Sequence, residues 1–246
     1  MNTLRIWIVT LLVPFMSMPA WAHDFSWENL QTASMKLNKQ FDFEANVDGY
    51  MQAYRPDIWK RYHNDEFALE EKRVETIELM KKRSEKFSLD EDFVLNVRLD
   101  LGKYDFRESR FPIENMTETH YWYVSKYPVG DLPGQFTIRF SNVSLLNAIP
   151  MVKESANDFV KRHKDSYGQV NRAVSATILF RLVELNHKDN EFVAEIQSAK
   201  VFEDTAKTRL LHEFKKPPPP KKEPPAKEVP AKDSSFPLGK SVLPEP

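Results

Sequence analysis

The chain has 246 residues, 35 basic against 36 acidic side chains, six glycines, seventeen prolines and no cysteine. The missing cysteine excludes disulfides, a thiol nucleophile and a thiolate metal site. The balanced charge gives no basic domain of the kind that nucleic-acid binding requires.

Met1 to Arg5 is a short start with one positive charge, and Ile6 to Met18 is an apolar run ended by Pro19. Ala20-Trp21-Ala22 then places small residues at −3 and −1 of a cut after Ala22. This is the pattern of a cleavable signal peptide. The apolar core is shorter than the roughly 20 residues a spanning helix needs, so residues 1–22 predict export and leave no membrane-spanning segment after cleavage. The expected location is periplasmic or secreted. At the other end the composition changes at Lys215, and residues 215–246 carry ten of the seventeen prolines. Proline fixes φ and lacks a donor, so this stretch reads as a disordered, partly polyproline-II tail. Residues 23–214 form a single α+β domain, mildly acidic at 27 basic against 32 acidic side chains.

Within that domain residues 23–44 show no clean period. Val47, Tyr50, Met51 and Tyr54 share one helix face. Pro56 opens a second short helix, and Asn64 or Asp65 caps a long charged one that runs to about Arg83, with Phe67, Val74, Ile77 and Met80 toward the core. The period then changes to two: Phe93, Leu95, Val97, Leu99 and Leu101 lie on one strand face. Gly102 marks a bulge or bend, after which Tyr104 and Phe106 continue on the other phase. Tyr121 to Val124 is an aromatic strand, and Phe136, Ile138 and Phe140 alternate again. Pro150 opens a short helix, and Val170 to Leu185 and Phe192 to Phe202 are long strands joined by the hairpin loop Asn186 to Asn190. The N-terminal helices and the one later helix are expected to pack on a mainly antiparallel sheet.

The chemistry-bearing motifs are few. The glycines fit neither a dinucleotide loop, nor a phosphate loop, nor a nucleophile elbow. No two of the six histidines stand at a paired metal-ligand spacing. As the first residue after the cut, His23 has an amine and a ring to offer a metal, but alone it defines no site. No metal and no cofactor is expected, and no catalytic residue stands out. The acid-rich run from Asp65 to Glu78 reads as the solvated face of a helix.

Two partner-binding candidates remain. In Tyr121-Trp122-Tyr123 alternation sends the two tyrosines to one face and the tryptophan to the other, and such residues are enriched at interfaces. In the tail, Pro217, Pro218, Pro219, Pro220, Lys221 and Lys222 match the proline-rich form read by aromatic grooves. The same tract also serves as a plain spacer.

The stretch Val47 to Thr76, with Asp105-Phe106, Phe111-Pro112-Ile113, Ile149-Pro150-Met151 and Val170-Asn171-Arg172, resembles an uncharacterised proteobacterial family of exported proteins, a domain of unknown function. The resemblance covers most of residues 41–205, leaves the proline tail outside, implies an envelope protein and brings no catalytic motif. The expected function is a non-enzymatic exported module that binds an envelope protein and carries a flexible tail. The alternatives are an envelope hydrolase with a site assembled from distant residues, and a carrier of an apolar ligand.

Overall fold

Polar side chains cap three of the helix starts. The computed structural model describes residues 22–127 and 129–218; the signal-peptide reading and Pro219, Pro220, Lys221 and Lys222 lie outside these. A short strand β1 (His23–Asp24) leads into helix α1 (Trp27–Leu37), where the Ser26 hydroxyl accepts from the Asn29 N–H. Asp42 caps α2 (Phe43–Tyr54), Pro56 stands in the first turn of α3 (Pro56–Tyr62), and Asp65 caps α4 (Glu66–Lys86). Each cap satisfies an N–H that a helix start leaves without a partner.

The strands follow as β2 (Phe93–Asp100), β3 (Arg110–Pro112), β4 (Trp122–Ser125) and β5 (Gln135–Phe140). After a 3-10 turn at Val143–Leu146 come β6 (Ala148–Pro150), α5 (Lys153–Arg162), β7 (Ala173–Asn186), β8 (Glu191–Phe202) and β9 (Leu210–Lys215). The fold is α+β, with five helices among the described residues and a mixed sheet whose pairings are mostly antiparallel.

The main sheet has the order β1-β2-β7-β8-β5-β4, with β9 pairing the second half of β8 while β5 pairs its first half. The exceptions to antiparallel pairing are β1 with β2 and β5 with β8. A small second sheet pairs β3 with β6. The period-two pattern places Phe93, Leu95 and Leu99, then Val174, Ala176, Ile178, Phe180 and Leu182, on the inner face, where all are buried. Phe180 is fully buried, with its ring 5.4 Å from Phe93, 5.3 Å from Phe140 and 6.2 Å from Phe25. The outer face carries Asn96, Thr177 and Arg181, and Lys207 reaches over it to donate to Asn96 Oδ1 and Thr177 Oγ1.

Three local expectations change. The segment without a clean period contains α1, a buried helix that packs on α4 on one side and on β5 and β7 on the other. Its buried residues include the polar Gln31, Thr32 and Ser34, which a count of apolar side chains does not register. On α4 Met80 is buried and Ile77 packs on the core, but Phe67 and Val74 are exposed, and Leu69, Thr76 and Ser84 complete the core face. Polar Thr76 and Ser84 hide that face from an apolar count. After Gly102 the chain leaves the sheet, and Phe106 stands in a turn where the Asp105 carboxylate accepts from the N–H groups of Arg107 and Glu108.

Candidate functional site: the open edge at β4

β4 is the last strand of the main sheet. It pairs with β5 in the register Trp122↔Ile138, Tyr123↔Thr137, Val124↔Phe136 and Ser125↔Gln135. Just beyond, the Lys126 N–H donates to the Gly134 carbonyl at 2.9 Å. Hydrogen-bonded and open pairs alternate along an antiparallel ladder. Val124 and Trp122 therefore share the inward phase of Lys126, and the N–H and C=O groups of Tyr123 and Ser125 point away from β5. The β5 side agrees: Thr137, the partner of Tyr123, turns its N–H to the Asn190 carbonyl beside β8.

Side chains at this edge divide as the alternation requires. Tyr121 and Tyr123 are exposed, at 56% and 60%. Trp122 and Val124 turn to the inner face, pack on the core and stay half-buried. The Trp122 ring lies 5.0 Å from Phe140 and 4.5 Å from His120. The sheet's apolar inner face thus continues past β5 onto two residues that no further strand covers among the described residues.

The opposite edge is covered at both ends of β2. β1 pairs the start of β2 at Phe93 and Val94. At the other end the Asp100 N–H donates to Asn115 Oδ1 at 2.9 Å, and Asn115 Nδ2 donates to the Arg98 carbonyl at 3.0 Å. One side-chain amide stands in for a strand there, and the Glu114 N–H donates to the Asp100 carbonyl beside it. Unpaired strand edges are templates for further pairing, and β2 and β4 differ in how they treat that hazard.

The hairpin that carries β4 is fixed to the helix layer. The Lys126 ammonium lies 5.0 Å from the Trp27 ring centre and 4.9 Å from that of Tyr54, a geometry in which the rings attract the cation. Trp27 Nε1 donates to the Pro133 carbonyl at 3.0 Å. Gly49 meets the same loop so closely that a Cβ on it would stand 2.8 Å from the Val129 carbonyl oxygen. Burial, reinforced by the Glu28 carboxylate, pushes the Tyr54 phenol far above its ordinary pKa and keeps it neutral.

Two depressions lie elsewhere. A groove of about 500 Å³ runs between Tyr104 and Phe106 on one side and Ala156 and Val160 of α5 on the other. A smaller one of about 300 Å³ is lined by Arg162, His163, Glu203 and Arg209. There Arg162 donates through Nε and Nη2 to the two oxygens of Glu203 at 2.7 and 3.0 Å, and Arg209 adds a bond at 3.2 Å. The Arg162 guanidinium, aided by Arg209, holds the Glu203 carboxyl below its usual range. The His163 ring faces the Asn171 carbonyl at 2.8 Å and Glu203 Oε1 at 3.2 Å. With all its partners in place, this carboxylate ties the β8–β9 loop to the end of α5. Among the described residues no three His, Asp or Glu side chains converge to hold a metal ion.

Of the partner-binding candidates in the sequence, Tyr121 and Tyr123 fall on the open edge, and Pro217 and Pro218 are exposed just after β9. The contribution of Asn115 has no sequence signal, because it depends on the return of the chain to β2 after a long excursion. None of the described helices is long and apolar enough to cross a membrane. No curated protein and no solved structure matches the chain. Residues 42–162, from the start of α2 to the end of α5 and including β4, match the family described as a domain of unknown function, DUF4852.

Proposed function

We propose that the protein is an exported, non-enzymatic interaction module that binds an extended segment of an envelope protein by adding it as a strand beside β4. The observation that carries this reading is the contrast between edges: β2 is capped by β1 and Asn115, while β4 presents the peptide groups of Tyr123 and Ser125 outward. Main-chain hydrogen bonds supply affinity in such strand addition, and alternate side chains supply specificity. A segment of alternating apolar and polar residues suits the edge best. Its apolar side chains cover Trp122 and Val124, and its polar ones lie beside Tyr121 and Tyr123. The chain's own run Pro217 to Pro220 is unsuited to this role, since proline has no N–H to give a ladder. Export is supported by the charged start, apolar core and Ala20-Trp21-Ala22 end of residues 1–22, and the proline-lysine tail acts as a spacer or as bait for a second partner.

The test places a photo-crosslinking residue at position 121 in the envelope of the producing cell, with one at exposed position 67 on α4 as control. The reading expects adducts at 121 that map to one extended segment of a partner and vanish when Ser125→Pro removes an outward N–H. Adducts that survive Ser125→Pro, or that are the same from position 67, would refute it. The apolar groove beside Phe106 favours a second reading, a carrier of a small apolar ligand, and native mass spectrometry of protein from cells would reveal that ligand as an added mass.

A further inference from the structure

His23 is the first residue after the expected cut, and it is built into the sheet. Its N–H donates to the Asp92 carbonyl at 2.8 Å, and it pairs with Phe93 in the parallel β1–β2 ladder. Its ring stacks on Phe87 with centres 4.2 Å apart and lies 5.2 Å from Phe93. Ring atom Nε2 is 3.0 Å from the Ser88 carbonyl and 3.3 Å from Glu91 Oε2. The side chain is 19% exposed. A peptidase must draw the residues around the scissile bond into its own site as a free extended segment. In the folded domain that segment is already committed on its His23 side: the amide nitrogen of the bond is in the ladder, and the next side chain is clamped between aromatic rings and a carbonyl.

We propose that the Ala22–His23 bond is a processing site open only to the unfolded chain, so that the leader is removed before the domain folds and His23 then closes the sheet as its first residue. The inference rests on the export reading above and is independent of strand binding at β4. In the reaction water adds across the Ala22–His23 amide, Ala22 leaves with the new carboxylate, and His23 gains an α-ammonium. One proton of that ammonium takes over the bond to the Asp92 carbonyl. The agent is a leader peptidase of the kind that cuts after A-x-A. A chain processed in this order crosses the membrane unfolded.

The experiment uses the full precursor, residues 1–246, with a purified leader peptidase in detergent micelles. Precursor freshly diluted from denaturant is compared with precursor refolded to completion, and N-terminal sequencing identifies the cut. Cleavage of a protected bond follows the population of its locally opened form. The expected result is a new terminus at His23 and a rate at least about ten-fold lower for the refolded precursor. Phe87→Ala, which removes the stacking partner, restores part of the lost rate while circular dichroism confirms that the variant is folded. Equal rates for fresh and refolded precursor would overturn the order proposed. Cleavage elsewhere, or none from either form, would overturn the processing site and the export reading together while leaving β4 untouched.

Discussion

Proline placed at neighbouring positions of β4 separates the two faces of its backbone. At position 124 the N–H belongs to the ladder with β5, opposite Phe136, which is fully buried. Val124→Pro removes that bond and leaves the Phe136 carbonyl without a donor, a combined cost of about 2–3 kcal/mol. For a domain of 150–250 residues each kcal/mol moves Tm by about 2–4 °C, so Val124→Pro lowers Tm by roughly 4–12 °C. At position 125 the N–H points outward, no ladder bond is lost, and an edge strand accepts proline there. Ser125→Pro costs less than about 1 kcal/mol and shifts Tm by less than about 4 °C. Thermal unfolding followed by far-ultraviolet circular dichroism measures both. If Ser125→Pro destabilises as much as Val124→Pro, the Ser125 N–H is already in use and the open edge does not exist.

Other expectations follow from the same contacts. Glu203→Gln weakens the tie to Arg162 and Arg209, whose side chains are 43% and 56% exposed; screening limits the loss to about 1–2 kcal/mol in urea unfolding at pH 7. Because the folded state lowers the pKa of Glu203, its contribution is complete above the unfolded carboxylate value of about 4.3 and fades as pH falls through the folded one. The gap between wild type and Glu203→Gln therefore closes in acid, and a gap that stays constant down to pH 3 would show that the charge is not its source. Asn115→Ala opens the β2 edge, and light scattering on heating should rise well before that of the wild type. Gly49→Ala pushes a methyl group against the Val129 carbonyl and costs about 1–3 kcal/mol; an unchanged Tm would show that the hairpin loop yields freely. Phe180→Ala, in the middle of the core, costs about 3–5 kcal/mol by chemical denaturation.

The sheet was the most legible part of the sequence, because burial on one face writes itself as a period of two. Phe93 to Leu99 and Val174 to Leu182 show that period and occupy the inner face. The separation of Tyr121 and Tyr123 from Trp122 was legible for the same reason. Helices gave less. The α4 core face includes Thr76, whose hydroxyl donates to the Lys72 carbonyl and accepts from Arg55, so a polar residue fills an inner position while Phe67 stands in solvent. α1 was silent because polar Gln31, Thr32 and Ser34 are among its buried residues. That β4 ends the sheet is a fact of topology, since β5 joins the distant strand β8 on its other side, and local pattern holds no record of such a choice. The Glu203 cluster joins residues about forty positions apart and was invisible for the same reason.

The amide of Asn115 also limits where the sheet can grow. A sheet open at both ends can recruit a strand at each, and a partner with the same property can continue the series into a filament. At Arg98 and Asp100 those backbone groups of β2 are already engaged. A strand added at β4 would therefore find no continuation of the ladder at the Arg98–Asp100 end of β2.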